Sequence, residues 1–316
     1  MAPLAALSLL VAGVCVAPSA QAYCRTRTCE FRPDQDCQVE QQSGCSTVGQ
    51  FVYWDSRCIP YAVQRDGSED EGITAEALDA LVADGFELWS NVSCADGNTP
   101  ELSAASQGPI ACDQVEYDCN VREDNSNLIV FRDDFVNTAF GLRFGVIALT
   151  TLTANLVSGE LFDADIEINS RDEDFEVTAT GGGVGPNEPR DLRGVVNHEL
   201  GHLLGLSHSE ETGALMRAAY EGTFTPGADD AAAMCAALGT SDGDPECSAR
   251  QLGEDFACLG GDTTCTSQPS AQTVQDGCSC EVVGGPEPRS GRGIGLVLLT
   301  LGAAWRLARR RSRVAS

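Results

Sequence analysis

A chain of 316 residues carries 47 acidic side chains against 20 basic ones, for a formal net charge of −27, and all 20 basic residues are Arg. That balance excludes a nucleic-acid partner, which would need clustered Lys and Arg, and it favours a soluble, self-repelling surface. With 15 Cys and a hydrophobic fraction of 42%, the composition points to a cored protein of an oxidising compartment.

The first residues, MAPLAALSLLVAGVCVAPSAQA, are an apolar run that ends in the A-x-A pattern of Ala20, Gln21 and Ala22. A secretory signal ends this way, which predicts removal of residues 1–22 by cleavage before Tyr23. Loss of Cys15 leaves an even number of Cys, so disulfides are the expected state. No paired C-x-x-C unit of the zinc-ribbon kind is present. Residues 23–50 form a short Cys-rich lead-in.

From Phe51 the pattern tightens. FVYW (51–54) and CIPYAVQ (58–64) read as strands. ITAEALDALVADGFELWSNV then sets Leu78, Leu81, Val82, Gly85, Phe86 and Trp89 on one helical stripe, with Thr74 as N-cap. A Cys-, Gly- and Ser-rich loop from Cys94 to about residue 127 precedes the strand NLIVFRD, and VIALTTLTA (146–154) and ELFDADIEIN (160–169) are two more strands. In the last of these, Asp163, Asp165, Glu167 and Asn169 alternate with Ala164, Ile166 and Ile168, so one face is apolar and the other carries four oxygen-bearing groups. That second face is either solvated or a holder of Ca²⁺ through Asp163, Asp165 and Glu167.

RDLRGVVNHELGHLLG (190–205) reads as a helix capped by Asp191, with Leu192, Val195, Val196, Leu200 and Leu203 as its apolar surface and Gly205 as its stop. Every histidine of the chain lies here or just beyond: His198, His202 and His208. At about 100° per residue, His198, His202 and Glu199 share one arc of the helix, and two imidazoles one turn apart grip a single metal ion. Gly205 lets the backbone leave through a conformation that a Cβ disfavours, which brings His208 back as a third ligand. Three neutral imidazoles with an open fourth position suit catalytic Zn²⁺.

The stretch HELGHLLGLSH fits H-E-x-x-H-x-x-G-x-x-H and resembles the zinc motif of the metzincin metalloproteases. Ser209 and the downstream ALMRAAY resemble the matrixin branch, with Met216 as the Met-turn residue and Tyr220 as the tyrosine that lines the substrate pocket. DDAAAMCAALG from Asp229 resembles the C-terminal helix of that branch. Covering roughly residues 50–239, the resemblance implies an α+β catalytic domain at 51–239. Its parts would be a twisted, mostly parallel five-stranded sheet with an antiparallel edge strand, an active-site helix, a second long helix, and a C-terminal helix after the Met-turn.

The activity implied is that of a zinc endopeptidase acting on protein or peptide substrates. Zinc on His198, His202 and His208 would activate water, Glu199 would be the general base, and VIALTTLTA would offer its edge to an extended peptide. One zinc is expected, because no His remains for the structural zinc that matrixins commonly carry, and Asp165 stands where one of those His would be. A cysteine switch of the P-R-C-G-x-P-D type is absent. The competing reading is a non-catalytic, zinc- or calcium-stabilised binding or adhesion module on the same fold; Glu199 favours the enzyme.

Residues 240–280 read as a Cys-rich stalk and 281–316 as a tail. GIGLVLLTLGAAW (293–305) is uncharged and precedes Arg306, Arg309, Arg310, Arg311 and Arg313; on its own it is shorter than the ~20 residues of a stable span. With DGCSC upstream, the region resembles the MYXO-CTERM type of bacterial sorting tail, which implies a sorting protease acting near Cys278 or Cys280. The expected product is a monomer, secreted or held at the bacterial cell surface, that touches membrane only through this tail.

Overall fold

The computed structural model describes residues 22–31, 37–41, 43–118, 125–133, 145–178, 181–185, 187–241, 247–259 and, by backbone, 271–281. The signal up to residue 21, the tail from residue 282, and residues 242–246 and 260–270 of the stalk lie outside them. Among the described residues no helix is long and apolar enough to cross a membrane.

Among the described residues ten strands form: β1 (Cys58–Gln64), β2 (Thr99–Pro100), β3 (Ser103–Ile110), β4 (Asn127–Phe131), β5 (Val146–Asn155), β6 (Leu161–Ile168), β7 (Phe175–Glu176), β8 (Arg190–Asp191), β9 (Thr240–Ser241) and β10 (Ala271–Glu281). The main sheet runs β10-β5-β6-β4-β1-β3, while β2 pairs with β9 and β7 with β8. Strands β3, β1, β4 and β6 are parallel, and β5 lies antiparallel to β6. These five strands are the mostly parallel sheet with an antiparallel edge strand that the resemblance implies. Strand β10 adds a sixth, antiparallel to β5, along the edge expected to be open.

Helix α1 (Ala75–Ser90) starts where the Thr74 side chain accepts the Ala77 N–H. Its buried stripe is Leu78, Val82, Gly85, Phe86 and Trp89, close to the expected one. That stripe meets α2 (Leu192–Leu203): the Trp89 indole N–H donates to the Asn197 carbonyl at 2.9 Å. The helices cross so closely at Gly85 that a Cβ there would fall 2.6 Å from Leu200 Cδ1 and from Asn197 Oδ1. Both helices cover one face of the sheet, sealing Ile59, Val63, Ile129, Ile166 and Ile168 into the core. A third helix, α3 (Ala228–Leu238), follows the site loop. The α+β architecture with two long helices and a C-terminal helix is as expected.

Three local readings change. FVYW is no strand; it makes only isolated bridges, Arg27 with Phe51 and Tyr53 with Glu160, although Val52 and Trp54 do point inward. Strand β3 lies inside the stretch read as a loop, because SAASQGPI lacks apolar alternation and is ordered by parallel pairing to β1. The acidic face of β6 is not solvated: Asp163, Asp165, Glu167 and Asn169 are all buried.

Among the described residues five disulfides close the molecule: Cys24–Cys45 and Cys29–Cys37 within the lead-in, and Cys58–Cys247, Cys94–Cys235 and Cys112–Cys258 across the chain. The lead-in also docks on the end of α2, where the Thr26 N–H donates to the Gly205 carbonyl and the Ser207 N–H to the Cys24 carbonyl, both at 3.0 Å.

Candidate metal centre

Helix α2 begins at Asp191, whose carboxylate accepts the Arg193 N–H and pairs with the Arg193 guanidinium at 2.7 Å. The Asp191 N–H in turn donates to the Tyr220 hydroxyl at 2.8 Å, so Tyr220 engages the start of the helix. The helix ends at Leu203, and Gly205 follows with φ +93°. There the Leu206 N–H donates back to the Gly201 carbonyl, turning the chain so that His208 returns toward the helix.

The three imidazoles converge. Ring centroids lie 4.7 Å apart for His198 and His202, 4.8 Å for His202 and His208, and 5.4 Å for His198 and His208. One ligand nitrogen from each falls within 4.8 Å of the others. His198 Nδ1–H donates to the Leu215 carbonyl at 2.6 Å and His202 Nδ1–H to the Leu206 carbonyl at 2.9 Å. Carbonyl oxygens only accept, so both protons sit on Nδ1 and both Nε2 atoms are lone pairs. Yet these two Nε2 atoms lie 3.0 Å apart, a repulsive contact unless a cation stands between them. His208 Nε2 is likewise buried with no hydrogen-bond partner.

Burial, reinforced by the neighbouring His208, holds His198 down to about 3. It holds His202 well below the ordinary imidazole value and His208 down to about 4. Three neutral nitrogen donors turned toward one point fit a zinc ion.

Glu199, fully buried on the same helix, takes a hydrogen bond from Thr150 on β5: Thr150 Oγ1 donates to Glu199 Oε2 at 2.6 Å. Met216 packs against α2, so closely that a Cβ on Gly201 would fall 2.2 Å from its sulfur. The turn that carries Leu215 and Met216 is held by Asp230 in the first turn of α3. Its carboxylate accepts the N–H groups of Leu215, Met216 and Gly227 at 2.7, 3.0 and 2.7 Å.

Sequence reasoning missed Thr150, an ordinary strand residue in print, and Asp230. The latter has a legible signal in an acid at the third position of a helix.

On the other face of the sheet, Asp163 and Asp165 lie together, but Glu167 turns to Arg132 in an ion pair at 2.6 Å. Asp165 accepts the N–H groups of Leu128 and Glu116 at 2.8 and 3.1 Å. A second group with metal-ligand chemistry, Cys112, Glu116 and Cys258, has both thiols in a disulfide.

A family model described as Matrixin matches residues 114–237, which span β4 to α3 and hold all three histidines, Glu199 and Met216. Matrix metalloproteinase-18 of Xenopus laevis is 25% identical over 197 residues, or 62% of this chain and 35% of that protein. The chain thus spans about a third of the length of this relative.

Proposed function

We propose that this chain is an exported, zinc-dependent metalloendopeptidase of matrixin type, with one zinc held by His198, His202 and His208. The observation that carries the reading is the 3.0 Å approach of two Nε2 lone pairs beside the buried, partnerless His208 Nε2. Zinc in such a set supplies Lewis acidity to a carbonyl and to water.

The remaining roles belong to the protein. Glu199 accepts the water proton on its carboxylate and returns it to the departing amine. Leu215 and Leu206 fix the imidazole tautomers through their carbonyls, and Asp230 and Met216 fix the turn that supplies Leu215. Tyr220 lies at the start of α2, where it would border a substrate. An extended protein or peptide substrate pairs with β5. Five disulfides and the apolar leader support export, and the arginine-rich tail supports retention at the bacterial surface after processing near Cys278 or Cys280.

The test is endoproteolysis of an unfolded protein by the chain expressed in an oxidising compartment. Cleavage is expected with one zinc bound and lost on chelation, and Glu199→Ala should lower it by at least about 100-fold while zinc stays bound. A folded chain that holds zinc and cuts nothing, both at full length and with the residues after 259 removed, would point to a latency segment before Phe51 or to the binding-module reading instead. Calcium on the β6 face is a second metal reading, favoured by the buried Asp163 Oδ1 and Thr151 Oγ1, which have no hydrogen-bond partner. A rise in melting temperature with calcium, abolished in Asp163→Asn, would support it.

A further inference from the structure

We propose that Thr150 is a positioning residue for Glu199: its hydroxyl sets the plane and rotamer of the carboxylate that works as the base. The inference rests on the role given to Glu199 above.

The argument starts from the pleat of β5. Ala148, Thr150, Leu152 and Ala154 project to the same face of the strand, and all four are buried. The three neighbours are apolar and join the core under α2. A hydroxyl in such a row costs free energy unless it is hydrogen-bonded, and the group it meets is Glu199. Thr150 Oγ1 lies 2.6 Å from Glu199 Oε2 and 3.2 Å from the Glu199 carbonyl oxygen. A hydroxyl has one proton to give. The shorter, charge-assisted contact takes it, so the hydrogen bond goes to the carboxylate.

One anchored oxygen fixes the carboxylate's plane, and with it the direction in which its other oxygen works. The anchor is rigid, because Thr150 sits in the middle of a strand paired with Ile166 of β6, and χ1 of a β-branched residue is restricted. Glu199 comes from the helix and Thr150 from the sheet, so the bond also ties the base to the strand on which substrate would align. A base misplaced by an ångström loses about two orders of magnitude in rate.

The experiment compares the full chain with Thr150→Val, which keeps the shape and removes the hydroxyl, and with Thr150→Ser, which keeps the hydroxyl. Zinc content, kcat and KM are measured on an unfolded protein substrate. A hydroxyl-proton resonance correlated with the Thr150 side chain is sought by NMR in the metal-free protein. The expected result is a roughly 10- to 100-fold loss of kcat in the Val variant with KM and zinc stoichiometry kept, substantial recovery in the Ser variant, and a slowly exchanging hydroxyl proton that shifts in Glu199→Gln.

A Val variant with unchanged kcat overturns the proposal, as does a Ser variant no better than Val. If neither the parent chain nor a chain ending at residue 259 cuts anything while folded and zinc-loaded, the functional reading falls. The hydroxyl resonance then decides the positioning: its presence and its response to Glu199→Gln uphold the tie between strand and carboxylate, and its absence overturns it.

Discussion

Three backbone N–H groups converge on the Asp230 carboxylate, and through Leu215 that carboxylate reaches His198. Asn at this position offers one acceptor oxygen and turns an NH₂ toward donors that need an acceptor. Asp230→Asn should therefore cost about 2–4 kcal/mol in urea unfolding and weaken zinc binding in a competition titration. Equal zinc affinity in the variant would mean that Leu215 is held without it. On the far face, burial and then the charge of Asp165 push Asp163 well above the carboxylate range, and burial pushes Asp165 to about 8. A raised folded pKa means stability that is complete below the ordinary carboxyl value and is lost as pH rises through the folded one. In calcium-free buffer the melting temperature of Asp163→Asn should thus gain on the parent chain steadily from about pH 4 to 8; a constant difference across that window would show that the pair holds no extra proton.

The strand edge to which the proposed peptide substrate would add is occupied in this fold. β10 runs antiparallel along β5, with Val274 opposite Leu152, Cys278 opposite Thr150 and a break in register between them. A peptide adding to β5 must take that place, so a chain ending at residue 259 should show a higher kcat/KM on extended peptides and faster amide exchange over residues 146–155. Unchanged exchange would mean that β10 does not protect the edge in solution. Nothing in AQTVQDGCSCE announces a strand, since it lacks apolar alternation and carries the turn pair Asp276-Gly277 within it, and β3 escapes for the same kind of reason, with Gly108-Pro109 inside. Helices α1 and α2 are legible because their caps and stripes are local, and the histidine centre because its spacing lies within one helix and its exit. The acidic row of β6 defeats sequence reasoning because what buries it comes from far away: Glu116 supplies an N–H to Asp165, Arg132 an ion pair to Glu167, and Tyr117 a ring stacked on Phe162 at 5.9 Å.

At the scale of the molecule, a charge of −27 makes copies repel one another, and the long-range disulfides decide how the fold is held. Cys58, Cys94 and Cys112 lie on one side of the histidine motif in sequence and Cys235, Cys247 and Cys258 on the other. Their pairing cannot be read from spacing; it follows from the topology, which returns the chain after α3 to the strands that began the sheet. Loops of that length are the ones whose closure most restricts an unfolded chain. If the chain is the protease proposed above there is a second consequence, because the peptide bonds nearest to its site are its own. A cut anywhere from residue 113 to 234 would leave two pieces still joined by at least these three covalent bridges, so self-cleavage would nick the molecule without dismantling it.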